Sequence, residues 1–359
     1  MKIIILLMRI VVLSCIFCII TLCSNVQKKE TETASKVIKV DMNSKITENF
    51  QDIIYSMNML KLEESDEYPI GEIKKLILTN RNIYILDQRR SKSVFIYNRD
   101  GKLENVIHRV GPGPGEYITS DDMNLDKESN NIVILDGSAR KLLFYSEKGQ
   151  FRSDLKLDFF VNTFFIKNNN FILDKGNTVY KITNFNYIII KNRQGDDIAN
   201  LLPIPDFLKE MTIVSYNPLQ EVGDTVLYMP SLNNAIYKIY DNKIEKKYQI
   251  DFGTKWPGRN FFESRKNDHI AKIANDITSG GYVSFLNFLE SNAYLHLNFY
   301  YNDSPVWYFY NKTTGQSIMF RNTNKDVSQP LAVDGNTFIC VRYLENSNPT
   351  LVFFDLRWE

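Results

Sequence analysis

The chain has 359 residues, 44% hydrophobic and 24% charged, which supplies apolar material for a large core and excludes a disordered polymer. Its 43 lysines and arginines nearly cancel its 42 aspartates and glutamates, so no strong field favours nucleic acid or an anionic membrane surface. Aromatic residues reach 13%, led by 23 Phe and 20 Tyr, a bias that suits pleated, half-buried strands.

At the amino end, residues 3–22 are nearly all apolar, interrupted by Arg9, and a polar run follows Cys23. This is a signal-type segment, to be set apart from the fold. Met8 stands directly before Arg9 and the apolar stretch from Ile10 to Ile20, a second position at which the segment could start. The end of the segment, Ile20, Thr21, Leu22, Cys23, resembles a bacterial lipoprotein signal, in which a peptidase cuts before the cysteine that carries the lipid. That resemblance implies a signal peptide over 1–22, Cys23 as the lipidation site, a tether over 23–35 and a folded body over 36–359. Cys15, after Val12, Leu13 and Ser14, fits the same box but is followed by more apolar residues instead of a polar tether. A cleaved secretory signal or an uncleaved anchor remain alternatives, since about 20 mostly apolar residues can span a bilayer. Without 1–22 the chain carries 41 positive against 42 negative charges and keeps two cysteines, Cys23 and Cys340. With Cys23 acylated, no internal disulfide can form and stability must come from packing.

Further along, a unit repeats. Ile83 to Asp87, a polar turn, Val94 to Tyr97 and then Asp100-Gly101-Lys102 match Ile132 to Asp136, a polar turn, Leu142 to Tyr145 and then Lys148-Gly149-Gln150. Each is a β-branched strand, a tight turn, an aromatic strand and a hairpin signal into a third strand. Weaker copies join Phe171–Asp174 to Val179–Ile182, Val226–Met229 to Ile236–Tyr240, Tyr294–Phe299 to Val306–Tyr310, and Thr337–Val341 to Leu351–Asp355. Six units at spacings of about 40 to 70 residues fit four-stranded blades with occasional insertions. The fold expected is therefore all-β, a six-bladed β-propeller of four-stranded antiparallel blades. Ring closure requires an amino-terminal strand, Val37–Val40 or Ile53–Leu62, to complete the blade that ends with Leu351–Leu356. Two stretches break the pattern. Pro203–Met211 reads as a short helix, and Pro257–Thr278, with Phe262, Ile270, Ile273 and Ile277 at near-helical spacing, reads as a helical insertion between blades 4 and 5.

The segment Asp100 to Tyr117, with Gly111-Pro112-Gly113-Pro114-Gly115-Glu116-Tyr117, resembles the six-bladed β-propeller lipoproteins of Bacteroidetes, relatives of NHL-type propellers. The resemblance implies a lipid-anchored cell-envelope protein, periplasmic or surface-facing. Physically, Gly111, Gly113 and Gly115 permit positive φ, while Pro112 and Pro114 remove amide donors. The loop is thus a rigid connector and no phosphate cradle. Glu116 is expected to cap locally or to face a ligand.

Catalytic sets are not legible. His108, His269 and His296 share no metal-ligand spacing, the Gly-x-Ser-x-Gly elbow is missing, and Cys340 reads as a small buried hydrophobe. Asp87, Asp136 and Asp174 end equivalent strands; they either cap the following turns or converge on one face as ligand-binding carboxylates. Trp256, Trp307 and Trp358 are too scattered to form a platform for sugar stacking. Two functions compete. One is a non-catalytic binding or scaffold module for a protein, peptide or glycan, needing no cofactor; the other is a lactonase- or lyase-like enzyme holding calcium or another metal ion in the central channel.

Overall fold

A computed structural model describes residues 35–65, 67–177, 185–345 and 347–358. The chain divides into two units, Met1–Ser35 and Lys36–Glu359. The signal-type segment and Cys23 lie outside the described residues. The second unit opens with three strands, β1 (Lys36–Lys39), β2 (Ile46–Thr47) and β3 (Ile54–Lys61). Six sheets follow, numbered here as blades in chain order. Blade 1 holds β4 (Ile73–Leu78), β5 (Asn82–Asp87), β6 (Ser93–Asn98) and β7 (Leu103–Ile107). Blade 2 holds β8 (Asp122–Asp126), β9 (Asn131–Asp136), β10 (Lys141–Ser146) and β11 (Phe151–Lys156). Blade 3 holds β12 (Thr163–Lys167), β13 (Asn170–Asp174), β14 (Asn186–Lys191) and β15 (Asp197–Pro203). Blade 4 holds β16 (Leu219–Val222), β17 (Thr225–Tyr228), β18 (Ala235–Tyr240) and β19 (Lys243–Asp251). Blade 5 holds β20 (Ser284–Glu290), β21 (Tyr294–Tyr301), β22 (Ser304–Asn311) and β23 (Ser317–Arg321). Blade 6 holds β24 (Ala332–Asp334), β25 (Thr337–Arg342), β26 (Thr350–Leu356) and, as its fourth strand, β3.

The first strands of successive blades touch in cyclic order, β24 meeting β4, so the sheets close into a ring with these strands innermost. The middle strands of each blade are covered by neighbouring blades on both faces. That is why β5, Asn-Ile-Tyr-Ile-Leu-Asp, is buried along its whole length, while the outermost β11, Phe-Arg-Ser-Asp-Leu-Lys, is mostly exposed. Alternation sends adjacent side chains to opposite seams. Ile83 and Ile85 pack with Ile339 and Val341 of blade 6, whereas Tyr84 and Leu86 pack with Ile132 and Ile134 of blade 2. Six apolar clusters, one per seam, make up the core. Each buried Leu, Ile or Phe adds about 1.5–3 kcal/mol of hydrophobic stabilisation, and no blade can bury both faces alone.

The strand read from the sequence as the first of each unit is in fact the second. The innermost strands are short or mixed in polarity, as in the Ile-Lys-Lys-Leu start of β4 and the Leu-Gln-Glu-Val of β16, so no apolar run within them exceeds three residues. Val179–Ile182 falls outside the described residues; the strand paired with β13 is β14. Ring closure uses Ile53–Leu62: β3 pairs antiparallel with β26 from Thr350↔Lys61 to Asp355↔Ser56. Val37–Val40 has a different task, because β1 adds a fifth, parallel strand to β19 of blade 4, and β2 does the same for β23 of blade 5. The amino-terminal segment therefore edges blades 4, 5 and 6 in turn. Between blades 4 and 5 lie two helices, α1 (Arg259–Glu263) and α2 (Ile270–Ser279). Phe262, Ile273 and Ile277 are buried against Ile204, Leu208, Met211 and Tyr228, so the insertion covers the seam of blades 3 and 4, while Ile270 faces solvent. Pro203–Met211 forms only a 3-10 turn, Asp206–Leu208.

Candidate functional site

Because the strands alternate in direction, the turn between the second and third strand of every blade and the connector to the next blade fall at the same end of the ring. This connector face gathers the sequence-singled residues and several exposed apolar side chains: Val110, Ile118, Phe160, Val214, Tyr216, Tyr300 and Leu344.

The three aspartates occupy equivalent positions there, and all are buried. Asp87 accepts from the amides of Arg89 and Arg90 at 3.0 Å and of Ser91 at 3.3 Å, and also from Gly71 at 2.7 Å, at the entrance to its own blade. Asp136 likewise accepts from Ala139 in its turn and from Ile118 at the blade entrance, at 2.9 and 2.8 Å. Asp174 accepts from the Gly176 amide, the Asn162 side chain and the Tyr228 hydroxyl. Each carboxylate thus pins the turn of its blade to the chain entering that blade, and the three do not converge on one another.

The glycine-proline loop sits over the seam of blades 1 and 2. Glu116 folds back so that Oε2 accepts from the Gly113 amide at 2.8 Å. A Cβ on Gly111 would lie 2.1 Å from that oxygen and one on Gly113 2.9 Å, so both glycines make room for the carboxylate. Gly115 has φ of +71° and its carbonyl accepts from Tyr145. Pro114 is exposed, whereas Tyr117 is buried, donating from its hydroxyl to the Lys92 carbonyl at 2.7 Å.

A cleft of about 1020 Å³ opens on the connector face over blades 5, 6 and 1. The β21–β22 hairpin supplies Asn298, Tyr300, Asp303 and Trp307; the 322–331 connector supplies Asn322, Asn324, Lys325 and Gln329; Glu72, Ile73, Arg321 and Tyr343 complete it. Tyr216 reaches in from the connector before blade 4, on the opposite side of the ring. Its hydroxyl donates to the Lys74 carbonyl at 3.0 Å, Asn217 Nδ2 donates to the same oxygen at 2.9 Å, and Lys74 Nζ lies 3.8 Å from the Tyr216 ring centroid. Burial pulls the Lys74 ammonium below the usual lysine range, against the opposing pull of Asp122.

Two polar groups of the cleft lack partners. Asn298, 5% exposed, donates to Gln329 Oε1 but leaves its own Oδ1 unpaired, and Arg321, paired with Glu48 through Nη1 at 3.0 Å, leaves Nε unpaired. A buried unpaired polar atom costs about 1–3 kcal/mol. None of these residues stands out in the sequence; the only trace is a long, asparagine-rich connector at 322–331.

Outside the cleft, the other candidate groups are structural. His108 Nδ1 lies 3.0 Å from both Ser93 Oγ and the Ser91 carbonyl, and His269 caps α2. His296 is buried in the seam of blades 5 and 6, stacked on Phe309. Burial pushes the Cys340 thiol well above its usual range. Trp307 forms cleft floor, while Trp256 stacks on Phe252 and Trp358 on Tyr294. Among the described residues, no three His, Cys, Asp or Glu side chains come together as a metal site, and no helix is long and apolar enough to cross a membrane.

A family model described as a 6-bladed beta-propeller, DUF5128, matches residues 26–339. A crystal structure of a Bacteroides fragilis protein inferred to be exported superposes with a TM-score of 0.78 at 16% identity, over 90% of this chain and 100% of that one. A member of the duf4221 family from Bacteroides vulgatus superposes with a TM-score of 0.54 at 10% identity, over 85% and 97% of the two chains. No curated protein matches.

Proposed function

Since this chain belongs to the DUF5128 family of six-bladed β-propellers, we propose that it is an exported binding module, tethered to the cell envelope through a lipid on Cys23, that holds its ligand on the connector face without a metal cofactor. The observation that carries this reading is the cleft, a concave site with convergent amides and exposed aromatic rings. The apolar side chains around it on the same face extend the contact surface beyond the cleft itself. Asp87, Asp136, Asp174 and Glu116 serve by holding that face rigid, since their oxygens are engaged by neighbouring backbone and side chains. Export and tethering are supported by the signal-type segment followed by Cys23, and export, though not tethering, agrees with the description of the Bacteroides fragilis structure.

The test is metal analysis of the purified protein combined with melting in calcium and in a chelator. The binding reading expects no bound ion and an unchanged melting temperature; stoichiometric calcium with a shift of several degrees would favour the channel enzyme instead. Labelled palmitate fed to producing cells checks the anchor, incorporation being expected in the native protein and lost in Cys23→Ala.

A further inference from the structure

We propose that the cleft over blades 5, 6 and 1 takes a neutral oligosaccharide, an inference that rests on the binding-module reading and gives it a ligand class. Three features of the cleft select this chemistry. Its charges balance, Glu72 and Asp303 against Arg321 and Lys325, so neither an anionic nor a cationic chain gains from it. Its remaining polar groups are side-chain amides and hydroxyls, both of which donate and accept at once, as adjacent sugar hydroxyls require. Asn298, buried at the floor, anchors Gln329 by donating its side-chain amide to Gln329 Oε1.

The backbone argues against the obvious competitor. A peptide docking by strand addition needs free backbone groups along an edge. In the 322–331 connector these groups are already spent: the Ser328 amide bonds to the Val341 carbonyl, the Leu331 amide to the Ile339 carbonyl, and the Val327 carbonyl accepts from Asn322 Nδ2. Recognition must therefore come from side chains. Tyr216 and Tyr300 are 37% and 41% exposed on the rim, Tyr216 with Lys74 over one side of its ring, and such exposed aromatic surface suits the apolar face of a pyranose ring. A volume of about 1020 Å³ exceeds what a single sugar fills, which points to a chain of several units.

Isothermal titration of the full mature protein tests this against a panel: neutral hexose hexamers with α1,4, β1,4 and β1,3 linkages, a polygalacturonate hexamer, and a pool of random decapeptides. At least one neutral hexamer is expected to bind. Tyr300→Ala and Asn298→Leu should each weaken it tenfold or more, while Tyr55→Ala, on the remote outer edge of blade 6, leaves it unchanged. Melting temperatures of the variants separate a lost contact from a lost fold. Binding of the decapeptides or the acidic hexamer alone, weakened by Tyr300→Ala, would overturn the ligand class and leave the binding face standing. Hexamer binding indifferent to both cleft variants would overturn the site, and silence across the panel would overturn the oligosaccharide assignment.

Discussion

Asp87 shows how one side chain serves the ring. Its two oxygens hold three amides of its own turn and one at the blade entrance. Asp87→Ala is therefore expected to lower stability by about 2–4 kcal/mol, chiefly through orphaned amides, as read from urea unfolding. At the glycine-proline loop the tight approach of Gly111 to Glu116 makes a paired experiment possible. Gly111→Ala should cost about 1–3 kcal/mol by overpacking, and Gly111→Ala with Glu116→Ala should cost less than the two changes summed. Equal additivity would mean that the carboxylate does not occupy that space. His296 couples the core to pH. Burial lowers its pKa to about 3, with only the Tyr308 carbonyl bond opposing. The unfolded chain, titrating near 6.5, binds a proton first as pH falls, so the stabilisation is complete above about 6.5 and drains away toward 3. Between pH 7 and pH 5 this one group removes about 2 kcal/mol. His296→Phe should flatten that part of the pH profile in denaturant melts, and an unchanged profile would contradict the assignment.

Among elements, the closing strand bears most of the consequence. β3 supplies the whole outer edge of blade 6, and Ser56 and Thr337 both donate to Asp355 at 2.6 Å across that sheet. A chain starting at residue 62 is expected to lose cooperative unfolding, and an added peptide spanning 36–62 to restore it, both followed by near-ultraviolet circular dichroism. A truncated chain that melts like the intact protein would show that the ring does not need this clasp. The strands legible in the sequence were those sandwiched between blades, because burial on both faces demands unbroken runs such as Ile83 to Leu86 or Ile132 to Leu135. The inner strands escaped because polar side chains link neighbouring blades there, as Lys75 does to Asp122 and Gln220 to the Glu290 backbone, and interrupt the apolar pattern. β2 escaped as well, and β1, legible as the strand Val37–Val40, could not be placed, since a parallel strand added to a blade edge leaves no hairpin signal. Helical spacing located α2 correctly but could not say that it shields the seam of blades 3 and 4.

For the whole molecule, ring closure is what creates the site. Connectors that lie between residues 67 and 345 in the chain are brought to one face only because six seams close, and Tyr216 meets Lys74 across 142 positions of sequence. No local pattern could announce such a cleft, whereas the aspartates and the glycine-proline loop were visible because their work is local. The most direct measurement is hydrogen exchange with and without the tightest-binding neutral hexamer. Protection confined to 298–304, 322–331 and 212–217 is the expected result; protection on the outer strands β7, β11 or β15, with the connector face unchanged, would contradict the account.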